Sequence, residues 1–240
     1  MIKLDILAIG VHPDDVELSC SGTILKSIAA GKKVGILDLT RGELGTRGSA
    51  EIRTQEANAA AEYMGVAIRE NLDMKDGFFQ HTEENLKKIA GVIRKYQPEI
   101  VLANAVSDRH PDHGRAAKLV SDACFVAGLI KVEILNEADE PYDRWRPNAV
   151  YHYIQDRHLE PDFVIDITDY IDQKMEAIQC FKSQFFDPDS KELESPISSL
   201  NFMESIKAKN RVFGRPVGYD FAEGFTVERT IGVDSLFDLK

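Results

Sequence analysis

Ile6-Leu7-Ala8-Ile9-Gly10-Val11-His12-Pro13-Asp14-Asp15-Val16-Glu17 is an apolar run of strand length that stops at an imidazole and a pair of adjacent carboxylates. Apolar residues without polar alternation predict a strand covered on both faces, as in a parallel sheet. A neutral imidazole and a carboxylate are natural zinc ligands. A second carboxylate beside them, left off the ion, is placed to take a proton from metal-bound water.

Outward from this stretch, short apolar strands alternate with segments of helical period. Ile24, Leu25, Ile28 and Ala29 share a helical face, Gly31 offers a left-handed stop, and the strand Val34-Gly35-Ile36-Leu37 follows. Ser49 can cap a helix running through Ala57, Ala60, Ala61 and Met64 to Gly65, before a short strand Val66-Ala67-Ile68. Thr82 can cap the next helix, whose stripe of Leu86, Ile89, Ala90 and Ile93 ends before Pro98, and Ile100-Val101-Leu102-Ala103 reads as a strand. A helix is expected from Arg115 to Val126, strands at 149–154 and 163–167, and a long helix from near Thr168 or Asp169.

This alternation predicts an α/β fold. The expected form is a doubly wound, mostly parallel, Rossmann-like sheet with helices on both faces, built as one domain over residues 1–240. In the common strand order 3-2-1-4-5, strands 1 and 4 are neighbours where the order reverses, and ligands bind in the crevice at their carboxyl ends. A second cluster, Arg109-His110-Pro111-Asp112-His113, follows the fourth strand. The two clusters, about a hundred residues apart, are thus expected to face one crevice. Phe186 to Leu200, rich in Asp, Ser, Pro and Glu, is expected to be a mobile loop over that site.

Within the crevice, His12, Asp15 and His113 form a three-ligand metal set that leaves a position open for water, as in catalytic rather than structural zinc. Asp14 is then the general base, His110 polarises a carbonyl or steadies an oxyanion, and Asp112 orients His110 and raises its pKa. Two imidazoles and a carboxylate suit Zn2+ and also Fe2+. Helix capping is the competing account of Asp14 and Asp15, but it explains neither His12 nor the second cluster. Glu17 is read either as a support beneath the ligands or as a solvated helix-start carboxylate. His81, His152 and His158 lie outside any cluster of ligand spacing and read as ordinary polar side chains.

Composition narrows the function. A hydrophobic content of 43% over 240 residues is enough for a full core, and a formal charge of −11 argues against a general nucleic-acid or anionic-membrane partner. The amino terminus lacks the pattern of a secretory signal and no stretch approaches a membrane span, so a cytoplasmic location is expected. Cys20, Cys124 and Cys180 are scattered and suggest neither a disulfide framework nor a thiolate site. A dinucleotide site is disfavoured because Gly10-Val11-His12-Pro13 lacks the glycine-rich turn and Pro13 removes an amide. A non-catalytic zinc module would favour four closed ligands, where three plus a spare carboxylate are found.

The two clusters resemble the A-H-P-D-D-x-E and H-P-D-H motifs of the LmbE-like, or PIG-L-type, zinc deacetylases, with Val11 in place of the commoner alanine. The segment Arg41-Gly42-Glu43-Leu44-Gly45-Thr46-Arg47-Gly48, then Glu51, Arg53, Glu56 and Ala57, and the late Gly218-Tyr219-Asp220-Phe221-Ala222-Glu223-Gly224-Phe225, are similar to the bacillithiol-pathway branch. That resemblance implies removal of acetate from N-acetylglucosaminyl malate, zinc on His12, Asp15 and His113, base Asp14 and an auxiliary His110–Asp112 pair. It also implies a homo-oligomer, often a hexamer in this family. Malate is a dianion, so local cations are required; Arg41, Arg47, Arg53 and Arg109 lie in the right loops, with Arg53 and Arg109 the preferred pair.

Overall fold

Strands β1 (Ile6–Gly10), β2 (Val34–Thr40), β3 (Ile68–Met74), β4 (Ile100–Ala103), β5 (Ala149–Tyr153), β6 (Phe163–Asp166) and β7 (Ala222–Val227) join in one sheet of order β3-β2-β1-β4-β5-β7-β6. The structure is a computed structural model and describes residues 2–239. Strands β3 to β5 run parallel, while β7 pairs antiparallel with both β5 and β6. The sheet is flanked by α1 (Asp15–Ala29), α2 (Ala50–Met64), α3 (Glu83–Tyr96), α4 (Pro111–Ala127), α5 (Ile171–Gln179) and α6 (Leu200–Gly214).

The continuous apolar strands are explained by cover on both faces. Leu7 and Ile9 of β1 enter one core with Leu37, Ile89, Ile93, Leu119 and Val120, whereas Ile6 and Ala8 enter the opposite core with Val16, Ile24 and Ala177. Alternate residues of one strand therefore serve two cores. The reversal of strand order falls between β1 and β4, as the alternation predicts. Ser49 and Thr82 cap α2 and α3 through their hydroxyls, and Gly31 takes φ +81 after α1.

Five elements differ from the sequence reading. The third strand begins at Ile68 rather than Val66 and runs on to Met74, a charged edge strand that its composition conceals. Arg69 on this strand is drawn inward to Asp38, at 2.7 and 2.9 Å, and to Glu17, at 2.6 Å. Glu17 is therefore a fully buried partner of Arg69, not a solvated helix-start carboxylate. Helix α4 starts at Pro111 instead of Arg115, with proline in the first turn and His110 as its cap. The long helix expected after Thr168 is a short 3-10 turn followed by the nine-residue α5. Strand β7 and helix α6 are not among the elements expected from the sequence.

Helix α1 is broken at Cys20 (φ −141°, ψ 16°). The amides freed by the break, Gly22 N and Thr23 N, donate to the Glu223 carboxylate of β7 at 3.0 and 2.7 Å, and Lys174 of α5 donates to it at 2.6 Å. Glu223 thus caps an internal helix start and neutralises a buried ammonium together.

Candidate metal centre

His12, Asp14 and Asp15 leave the end of β1, and His110, Asp112 and His113 open α4 at the end of β4, so the neighbouring strands bring both clusters together. Gly10 makes the close approach possible, since a Cβ there would lie 3.1 Å from that of Asp15. Asp15 stands between the two imidazoles: its carboxylate is 3.7 Å from His12 Nδ1 and 3.1 Å from His113 Nε2. The remaining nitrogen of each ring meets another carboxylate, His12 Nε2 at Asp76 (3.0 Å) and His113 Nδ1 at Asp108 (2.5 Å). Each imidazole so presents one nitrogen toward Asp15 while a carboxylate behind fixes its orientation, the arrangement that holds histidine ligands around a divalent cation. Asp15 is itself held by the amides of Val11 and His12, by Asn104 Nδ2 and by Gln155 Nε2.

The electrostatics agree with a cation-binding centre. Although burial works against it, Asp15 and Asp108 lift the His113 imidazole to about 10, and burial of Asp15 is outweighed by His113 and His12, which hold its carboxyl well below the usual range. The centre is rich in negative charge and oxygen and nitrogen donors. Among the described residues, two groups of donors lie close enough together to hold a cation, His12 with His110 and His113, and His12 with Asp76 and Asp112. Asp15, expected as the third ligand beside His12 and His113, stands between those two rings but belongs to neither group. Imidazole and carboxylate donors of this kind suit zinc or ferrous iron.

Asp14 is set apart from this set. Its backbone takes φ 123°, a conformation rare for a non-glycine residue, and its side chain makes no cap bond to α1. Instead Oδ2 accepts from Arg53 Nη2 at 2.8 Å, and the same guanidinium donates to Pro13 O and Gly42 O. Gly42, at φ +64°, is required by this packing: a Cβ there would fall 2.0 Å from Arg53 Nη1. Burial pushes the Asp14 carboxyl up to about 7 against the pull of Arg53.

The Asp112 carboxylate, expected to orient His110 and raise its pKa, makes no hydrogen bond to His110 among the described residues, although its charge acts to raise that pKa. The carboxylate is turned to Gly77 and Arg115, and Asp112 meets His110 only through its own backbone N–H, donated to His110 Nδ1 at 3.3 Å. Burial, then the neighbouring His12 and His113, hold the His110 imidazole below its ordinary range rather than raising it. With Nδ1 accepting, the neutral ring carries its proton on Nε2.

A cavity of about 680 Å3 opens over these residues, within the size of small-molecule sites. Of the preferred arginines, Arg53 faces it but is committed to Asp14, and Arg109 sits half exposed with its Nε on Asp156 at 2.5 Å. Arg41 pairs with Glu51 on the surface. Arg47 is buried and ties the irregular segment after α5 to the wall through Phe185 O, Ser190 Oγ and Glu192, while Ser195, Pro196 and Ile197 of that segment line the cavity. Asp76, Asp108, Asn104 and Gln155 escaped the sequence reading. Their common signal is position: each lies just past a strand on the edge that carries both motifs. His152, read as an ordinary polar residue, is buried and bonded to Asn104 O and Glu228.

The family model described as GlcNAc-PI de-N-acetylase, PIG-L, matches residues 7–124, which hold both clusters. A diacetylchitobiose deacetylase of Thermococcus kodakarensis is 32% identical over 91% of this chain and 81% of its own length. A 4-oxalmesaconate hydratase of Pseudomonas putida is 28% identical over 74% of this chain and 73% of its own. Among solved structures, a conserved protein of Thermus thermophilus superposes with a TM-score of 0.85 at 34% identity, covering 96% of this chain and 98% of the other.

Proposed function

Because the chain belongs to the PIG-L, or LmbE-like, deacetylase family, we propose that it is a metal-dependent amidohydrolase acting on an N-acetylglucosamine conjugate, with N-acetylglucosaminyl malate of bacillithiol biosynthesis as its substrate. The observation that carries this reading is the pairing of two carboxylate-backed imidazoles around Asp15 with a separate buried carboxylate, Asp14, on one cavity wall. His12, Asp15 and His113 are the residues that would hold Zn2+, or Fe2+. When bound, the ion would supply Lewis-acid polarisation of the amide carbonyl and would acidify water. Asp14 takes the proton of the attacking water and returns it to the departing amine, a role suited to a carboxyl lifted toward neutrality. Neutral His110 donates its Nε2–H to the oxygen of the tetrahedral intermediate. Arg53 keeps Asp14 in position, Asp112 anchors the Gly77 loop and Arg115, and Arg109 stands at the mouth toward the aglycone.

What supports an anionic aglycone is Lys209 on the cavity wall, since the lining arginines Arg47, Arg53 and Arg109 are already paired with carboxylates. The reading includes a single catalytic unit over residues 1–240, a cytoplasmic location and a homo-oligomer, with a hexamer expected from the family resemblance. Among the described residues no helix is long and apolar enough to cross a membrane. The test is acetate release by purified protein from N-acetylglucosaminyl malate, diacetylchitobiose and free N-acetylglucosamine, before and after chelation and on restoring zinc or iron. Metal-dependent release, fastest from the malate conjugate, is expected. Equal efficiency toward all three would overturn the malate assignment, and release unaffected by chelation would overturn the metal. The similarity to a hydratase favours one second reading, water addition to an unsaturated dicarboxylate, which loss of ultraviolet absorbance without acetate would reveal.

A further inference from the structure

The cavity has a second wall that the catalytic reading leaves unused. Phe202, Ser205, Ile206, Lys209 and Val212 all line it, and their spacing of three or four residues places them on one stripe of α6. The stripe is mostly apolar, and Lys209 is the charged residue in it. The Lys209 ammonium donates to the backbone carbonyl of Gln155 and, among the described residues, forms no ion pair. This sets it apart from the arginines. Arg53 is paired with Asp14, Arg47 with Glu192 and Arg109 with Asp156, so each of their charges is locally cancelled. An ammonium has three N–H donors, and only one is matched here. Burial, then the neighbouring Lys174, draws the Lys209 pKa down to about 8 against the opposing pull of Asp156, Asp108 and Glu223.

We propose that the α6 stripe is the subsite for the part of the substrate beyond the sugar, and that Lys209 recognises a carboxylate carried on it. The inference rests on the deacetylase reading and sharpens it by moving charge recognition from Arg53 and Arg109 to Lys209. The apolar neighbours Phe202 and Ile206 limit water around the contact, which strengthens a charge-assisted hydrogen bond. They also accept the short carbon skeleton between carboxylate and sugar.

The experiment compares kcat/KM for N-acetylglucosaminyl malate with that for the neutral methyl N-acetylglucosaminide, in the wild-type holoenzyme, Lys209→Met, Lys209→Arg and Val212→Glu. The ratio of the two efficiencies is expected to fall about 10- to 100-fold in Lys209→Met, chiefly through KM, and to recover partly in Lys209→Arg. Val212 is 56% exposed, so Val212→Glu tests the same stripe without burying a new charge, and it should lower the ratio in the same direction. An unchanged ratio in these variants, whatever the absolute rates, would overturn the subsite. Wild-type protein that releases acetate from neither conjugate would overturn the deacetylase reading itself, and the subsite with it.

Discussion

Two buried carboxylate–cation pairs meet α1, one at its start and one at its break, and they do different work. Glu223 and Lys174 meet at 2.6 Å with both side chains fully buried, and the carboxylate also accepts two backbone amides, so three of its roughly four acceptor sites are filled. Asp14 and Arg53 meet at 2.8 Å with similar burial, but one carboxylate oxygen carries the pair while the residue faces a cavity from a strained backbone. A buried pair with most of its acceptor sites filled is costly to break; an undersatisfied one that faces a cavity is able to exchange a proton. Burial alone does not separate the two cases. The count of satisfied lone pairs does.

The contrast breaks most sharply at the carboxylates themselves. Asp14→Asn is expected to lower kcat by about 10²- to 10⁴-fold with bound metal retained, while His12→Ala and His113→Ala lose the metal; metal analysis beside steady-state kinetics checks both. A metal-free Asp14→Asn protein would place that residue among the ligands. Glu223→Gln should act oppositely, costing about 3 to 5 kcal/mol of stability in denaturant unfolding while the remaining folded enzyme keeps its rate. Equal loss of rate in the folded fraction would show that the α1 break governs the site directly.

Finer probes concern the neighbours. Asp14 takes a proton only when deprotonated, so kcat/KM rises with pH through its raised pKa, and a bound divalent cation draws that limb downward from about 7. Arg53 lowers the Asp14 pKa, so Arg53→Met should move the acid limb upward by about one pH unit. A limb that stays in place would mean that another group sets it. The smallest effect is expected between His110 and Asp112. Since only a backbone bond joins them, the rate losses of His110→Ala and Asp112→Ala should multiply, with a coupling under about 0.5 kcal/mol. Strong non-additivity would restore the side-chain unit that the sequence suggested.

What the sequence made legible depended on periodicity and spacing. The apolar strands β1 and β4, followed by the clusters of His12 and His110, announced both the sheet and the crevice, because strands covered on two faces leave an unbroken apolar signal. Strand β3 was misplaced because Arg69 is satisfied by Glu17 and Asp38 from other elements, a compensation no local pattern reveals. The same error hid Asp76, which is located only once the end of β3 is known. Asp108 stands one residue before the second cluster, yet a lone carboxylate in a loop has no signature until His113 is seen to turn toward it. Lys209 was invisible for a similar reason: a lysine on an amphipathic helix is ordinarily solvated, and only the cavity marks it as different.

The Glu223 cap also imposes an order of events. The amides of Gly22 and Thr23 find their acceptor 201 and 200 residues further along the chain. As the chain leaves the ribosome, the first turn of α1, which carries Asp15, is made long before the group that stabilises the turn beyond Cys20. The entropy of closing so long a loop must be met before that contact contributes. Synthesis of β7 is therefore the step that completes the amino-terminal helix, and a chain arrested before Glu223 would carry both histidine clusters on a scaffold that has not yet closed beneath them.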